Sequence, residues 1–138
     1  MKPLKIIGID FGDVRTGIAV CDPSMLIASP VGTITGNMQQ TLTQTAEIIK
    51  QHGASRAVVG MPRNMNGTYG PRADICKNFS EKLHEITGIE VILWDERLTT
   101  VSAHKILSES NVRGKKRKQT VDTLSAVLIL QNYLDAIR

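Results

Sequence analysis

The chain has 138 residues, 41% of them hydrophobic and 22% charged, with 17 Lys and Arg against 13 Asp and Glu for a formal charge of +4. This ordinary globular composition excludes disordered, collagenous and coiled-coil classes and accommodates a single domain, residues 1–138, around one core. No run approaches ~18 apolar residues and no signal-peptide core precedes Asp10, so a cytoplasmic protein with no membrane partner is expected.

Lys5 to Asp10 is a β-branched run ending in an acid, and Phe11-Gly12-Asp13 is a turn signal before a second β-rich run, Thr16 to Cys21. Asp22-Pro23-Ser24 forms the next turn and Ala28 to Ile34 a third extended stretch, so the first 35 residues read as an antiparallel meander. The period then changes: Leu42, Ala46 and Ile49 recur at helical steps, with Gly53 placed as a C-cap, which predicts a helix over 38–52. Arg56 to Gly60 reads as a buried strand, and 62–71, dense in turn formers, as a long functional loop. The next helix, 72–87, sets Ile75, Cys76, Phe79, Leu83 and Ile86 on one stripe, closed by Gly88. A fifth strand, Ile89 to Trp94, runs into Asp95-Glu96-Arg97, and Thr99 or Thr100 caps a short helix ending at Leu107. The last helix is expected from Thr120 to about Ile137, with Val121, Leu124, Val127, Leu128, Leu134 and Ile137 turned to the core. This order implies an α/β fold: a mixed five-stranded sheet, the meander joined to parallel fourth and fifth strands by crossovers, with helices on both faces.

Acids at strand ends are where chemistry is expected, because ligands of open α/β sheets bind beyond the C-terminal ends of the parallel strands. Asp10 ends the first strand and shares a face with Ile6 and Gly8, which makes it a half-buried carboxylate rather than a plain turn residue. Asp95 and Glu96 end the fifth strand; consecutive residues point opposite ways, so only one of them faces a ligand, and spacing does not choose. Asp122 lies two positions after the expected cap Thr120, where complementing the helix macrodipole is the bland account. Three carboxylates from distant segments would form an all-oxygen site suited to Mg²⁺ or Mn²⁺ and poorly suited to zinc. The cysteines, Cys21 and Cys76, stand far apart with no Cys-x-x-Cys and read as buried thiols.

Arg113, Lys115, Lys116, Arg117 and Lys118 put five cations into six residues, and the remaining chain then holds 12 basic residues against 13 acidic ones. One short segment therefore supplies the whole positive excess. Its bland account is a solvated flexible loop; the sharper one is a footprint for a phosphate backbone.

The segments Gly8 to Val20, Val59-Gly60-Met61-Pro62 with Met65-Asn66-Gly67, Trp94 to Thr100, and Asp122 to Asp135 together resemble the YqgF/RuvX family of pre-16S rRNA nucleases, also described as Holliday-junction resolvase-like. The resemblance spans nearly the whole chain. It implies an RNase H-like fold and a divalent-metal nuclease site, with Mg²⁺ or Mn²⁺ held by Asp10, Glu96 and Asp122; the choice of Glu96 over Asp95 comes from the family. It also implies that Arg15 and Arg97 face phosphate or hold a carboxylate, with Arg63 a weaker candidate. Ser125-Ala126 departs from the two alanines usual after the last acid.

The activity implied is hydrolysis of phosphodiester bonds in structured nucleic acid, with 5′-end maturation of precursor 16S rRNA foremost, by a monomer or weak homodimer. The rivals are Holliday-junction resolution on four-way DNA, which needs a dimer, and a non-catalytic RNA-binding assembly factor whose acids are structural. A sugar-kinase-like ATPase fragment is disfavoured because such proteins close two domains around nucleotide, and this length supplies one.

Overall fold

β-Branched residues pack best on a pleated surface, and the runs rich in them form the strands. In the computed structural model these are β1 (Ile6–Asp10), β2 (Arg15–Cys21), β3 (Ala28–Thr35), β4 (Arg56–Met61) and β5 (Glu90–Asp95), with helices α1 (Met38–His52), α2 (Pro71–Thr87) and α3 (Gly114–Ala136). Residues 5–12, 14–61, 71–95 and 114–137 are described, with side chains at all of these except 61, 71, 72, 95 and 114–122. The expected loop at 62–71 and short helix at 99–107 lie essentially outside these residues.

The sheet order is β3-β2-β1-β4-β5. β1, β2 and β3 pair antiparallel, and β4 pairs parallel with both β1 and β5, which is the mixed sheet the element order implied. The sheet divides the expected single core into two layers. On one face Ile7, Ile9, Ile18, Ala57 and Val59 pack with Leu42 and Ile49 of α1 and Cys76, Phe79 and Leu83 of α2. On the other, Ile6, Ala19, Cys21 and Val58 pack with Ala126, Ile129, Leu130 and Leu134 of α3. Each large side chain removed from water in these layers contributes about 1.5–3 kcal/mol before chain entropy is charged against it.

Helix α1 is fixed at both ends by its own sequence. Gln40 N–H donates to Asn37 Oδ1 and Asn37 N–H to Gln40 Oε1, both at 2.9 Å, a reciprocal capping box. Gly53, at φ 65°, closes the helix in the left-handed conformation that glycine adopts most readily.

Three expectations need correction. Helix α3 begins at Gly114, not Thr120, so Lys115, Lys116, Arg117 and Lys118 are helical rather than a loop: charge interrupts the apolar pattern, but lysine, arginine and glutamine are good helix formers. Asp122 therefore sits in the third turn, beyond the first-turn reach of the macrodipole, and its bland account lapses. Ile75 and Ile86 are exposed because the buried arc of α2 runs through Ala73, Cys76, Phe79, Ser80 and Leu83 and leaves them on its shoulder; Ile137 is exposed beyond the end of α3.

Candidate active site

Asp10 is the last residue of the central strand β1 and is half-buried. Phe11, pointing to the opposite face, is buried against Phe79 of α2 with ring centroids 4.4 Å apart, which anchors the strand end that carries the carboxylate. A Cβ on Gly12 would stand 2.0 Å from the Arg15 carbonyl oxygen, so only glycine fits this tight turn. Thr16 Oγ1 accepts the Gly12 N–H at 3.2 Å and secures it.

β2 leaves this turn with Arg15, Gly17, Ala19 and Cys21 alternating onto one face, and Ala19 and Cys21 pack in the α3 layer. Arg15 thus lies on the face of Asp10, two strand positions beyond Gly17, the register partner of Asp10. Gly17 in turn pairs with Thr33 and Arg15 with Thr35 on β3. One rung of the sheet therefore reads Asp10, Gly17, Thr33, with Arg15 at its outer margin.

Helix α3 lies over this face along three i, i+4 stripes. Thr123, Val127 and Gln131 face β3: the Thr123 and Thr33 hydroxyls are 2.9 Å apart, and Gln131 Oε1 accepts the Ala28 N–H at 2.9 Å. Ala126 and Leu130 face β1 so closely that a Cβ on Gly8 would fall 2.7 Å from Leu130 Cβ and 2.9 Å from the Ala126 carbonyl oxygen. Ser125, Ile129 and Tyr133 face β4 and β5: Arg56 Nη1 donates to the Tyr133 hydroxyl at 2.9 Å, and Trp94 meets the Tyr133 ring edge-on at 5.4 Å.

The helix runs opposite to β1. Tyr133 is beside Arg56, the partner of Ile6 at the start of β1, and Ala126 and Leu130 are over Gly8. Four residues earlier along a helix is about 6 Å, and two residues along a strand about 6.6 Å. The backbone at 122 therefore stands over β1 at the level of Asp10.

Of the sequence-derived site residues, Asp10, Arg15 and the backbone at 122 come together on one face of the sheet. Lys115, Lys116, Arg117 and Lys118 fall in the first turns of α3, while Glu96, Arg63, Arg97 and Arg113 lie outside the described residues. Among the described residues no three His, Cys, Asp or Glu side chains form a metal-binding group, a set that excludes the side chains at 96 and 122. Cys21 is not a plausible nucleophile: burial pushes its thiol pKa up. Sequence reasoning passed over Thr33 and Thr123, whose hydroxyls meet across 90 positions with no local signal. It also passed over the close approach at Gly8, which glycine inside a β-branched run does signal.

The family model described as RuvX, Holliday junction resolvase, matches residues 4–136. A protein of Bacillus cytotoxicus is 43% identical over 136 residues, covering 96% of this chain and 99% of that protein. One of Ruminiclostridium cellulolyticum is 43% identical over 136 residues, covering 97% and 96%. Both bear the provisional name pre-16S rRNA nuclease. Among solved structures, Thermus thermophilus RuvC in complex with Holliday junction substrate superposes with a TM-score of 0.63 at 11% identity, covering 97% of this chain and 95% of that one. The fowlpox virus Holliday junction resolvase gives 0.58 at 11% identity, covering 96% and 99%. At such identities these likenesses carry the fold alone, and that fold is RNase H-like.

Proposed function

The chain belongs to the RuvX family of Holliday junction resolvases, a nuclease family, and from that premise we propose that it is a divalent-metal-dependent nuclease of structured nucleic acid that matures the 5′ end of precursor 16S rRNA. What supports the site is Asp10, half-buried at the end of β1, beneath a helix whose Ala126 and Leu130 close on Gly8 two residues earlier on that strand.

Asp10, Glu96 and Asp122 are the proposed catalytic and metal-holding set. The choice of Glu96 over Asp95 follows the family pattern. A set of hard carboxylate oxygens fits Mg²⁺ or Mn²⁺, and Asp10 is buried enough to strengthen its field and open enough for a substrate to approach. When bound, such an ion lowers the pKa of a water and neutralises the charge that gathers on the phosphate oxygens.

The chain's own residues do the rest. Arg15, on the face of Asp10 and partly exposed, is positioned to pair with a substrate phosphate, and Arg97 and Arg63 are assigned the same task on the family pattern. Lys115, Lys116, Arg117 and Lys118, with Arg113 just before them, gather the backbone of the nucleic acid at the entry to α3. Among the described residues no helix is long and apolar enough to cross a membrane, and a cytoplasmic setting with nucleic acid as the partner is the reading adopted. The protein acts as a monomer or weak homodimer.

The test is incubation of the pure protein with precursor 16S RNA, a four-way junction and single-stranded controls, in Mg²⁺, Mn²⁺ or chelator, with Asp10→Asn alongside. Cleavage of the precursor in metal, its loss in chelator, and its abolition by Asp10→Asn with binding intact are expected. Metal-dependent cleavage by a rigorously purified Asp10→Asn protein refutes the assignment. The family description favours one second reading, junction resolution by a dimer; faster cleavage of the junction than of the RNA, with a dimer in sedimentation, would select it.

A further inference from the structure

The two edges of the sheet are built differently. β3, at one edge, carries Pro30 and a register shift against β2 at Ile18/Ala19, the kind of device that keeps an edge strand from pairing with another chain. β5, at the other, holds unbroken register with β4 from Glu90 to Asp95. Between those two acids it reads Val91-Ile92-Leu93-Trp94, with no proline and no lysine. A regular apolar edge of this kind is a template for a further strand.

Beside it runs a groove of about 410 Å³, with Val91 and Leu93 as its floor and Lys77, Glu81 and His84 of α2 along its wall. These three α2 residues are exposed. Lys77 and Glu81 stand one helical turn apart, and such a pair is complementary to itself: a two-fold axis passing between them sets each lysine against the other copy's glutamate. His84 fixes the height of that axis, because its Nδ1 lies 2.7 Å from the Ile89 carbonyl oxygen. Helix α2 is the crossover between parallel β4 and β5 and runs opposite to them. The midpoint of Lys77 and Glu81 is five residues before His84, about 7.5 Å of helix or two to three strand residues, which brings it level with Val91. An axis there also pairs β5 with its own copy, Val91 meeting Val91 and Leu93 meeting Ile89. The charges on the helix and the apolar edge of the strand accept the same axis.

We propose that this edge and groove take a second copy of the chain, β5 pairing antiparallel with β5 about a two-fold axis at Val91 and Lys77 of each copy pairing with Glu81 of the other. The two five-stranded sheets then join into one. The two-fold axis of an antiparallel pair is perpendicular to the sheet, so both copies of Asp10 open on the same face. The pairing stands apart from the nuclease reading.

The test is sedimentation equilibrium of the full chain, wild type and variants, with disulfide trapping. The wild type is expected to dimerise with rising concentration. Lys77→Glu and Glu81→Lys each replace two attractions by two repulsions on an exposed helix face and should weaken association about tenfold or more. The double exchange should restore it to within about threefold. Val91→Cys should close a disulfide between copies on mild oxidation, since the Cα atoms of an antiparallel pair are about 4.5–5.5 Å apart. Leu93→Cys should not, and the native Cys21 and Cys76 are buried. A chain still monomeric at about 1 mM overturns the proposal and leaves the groove to another partner, such as an extended peptide. A dimer that tolerates both charge reversals, or that cross-links through position 93 as readily as through 91, is built on another surface or register and overturns it too.

Discussion

Replacing Gly8 by alanine should separate α3 from β1 and lower stability and cleavage together. The added Cβ would stand 2.7 Å from Leu130 Cβ and 2.9 Å from the Ala126 carbonyl oxygen, where ordinary van der Waals contact begins at 3.4 Å. Neither neighbour can swing aside: one is the root of a fully buried side chain and the other is helix backbone. The helix must retreat by several tenths of an ångström, and overpacking of this kind costs about 1–3 kcal/mol. For a chain of 138 residues each kcal/mol moves the melting temperature by about 3–5 °C, so a fall of about 5–10 °C is expected by circular dichroism. The same retreat lifts position 122 from Asp10. Misplacement by about 1 Å costs on the order of 10²-fold in rate, so half that shift should slow cleavage roughly tenfold at a temperature where the variant is folded. Gly8→Ala melting within 1 °C of wild type would mean that α3 is not seated on this glycine, and the alignment of position 122 with Asp10 would lose its support.

Two further outcomes bear on the surface and on pH. Exchanging Lys115, Lys116 and Arg117 for glutamine should weaken nucleic-acid binding and flatten the slope of log K against log salt by about 2–3 units; an unchanged slope would show that these cations touch no phosphate. Asp22 accepts the N–H groups of Ile27 and Leu26 at 2.8 and 2.7 Å and the Ser24 hydroxyl, and these bonds, that from Ile27 foremost, hold its carboxyl down to about 2 from an ordinary 3.8. A depressed carboxyl stabilises the fold fully above its unfolded pKa and loses that contribution as pH falls toward the folded value. Asp22 should therefore titrate by NMR with a midpoint near 2, loosening the turn before β3 only in that acid range; a midpoint at 3.8 would dismiss the turn bonds.

The strands and their sequence along the chain were legible because β-branched runs, glycine turns and the shift from period two to helical spacing were all local signals. Gly53 announced its cap, and Ile6, Gly8 and Asp10 announced a shared face. What escaped was set by distance. The first turns of α3 looked like an interruption because patterning registers apolar residues, whereas Lys115 to Lys118 extend the helix by propensity alone. Ile75 and Ile86 matched the apolar period but missed the arc that α2 presses on the sheet, since periodicity fixes a direction only to within a side chain. Asp10 was nominated by its place at a strand end, while the Thr33–Thr123 contact that seats α3 beside it joins residues of no local consequence. Asp95 and Glu96 could not be told apart by spacing, because alternation alone fixes no absolute facing.

Because a single helix keys into three different strands at once, its central stretch has a reading frame. Inserting or deleting one residue between 122 and 133 would turn everything upstream by about 100°, carrying Thr123 off β3 and position 122 off β1 in the same stroke. Natural variation in length should therefore avoid positions 123–133.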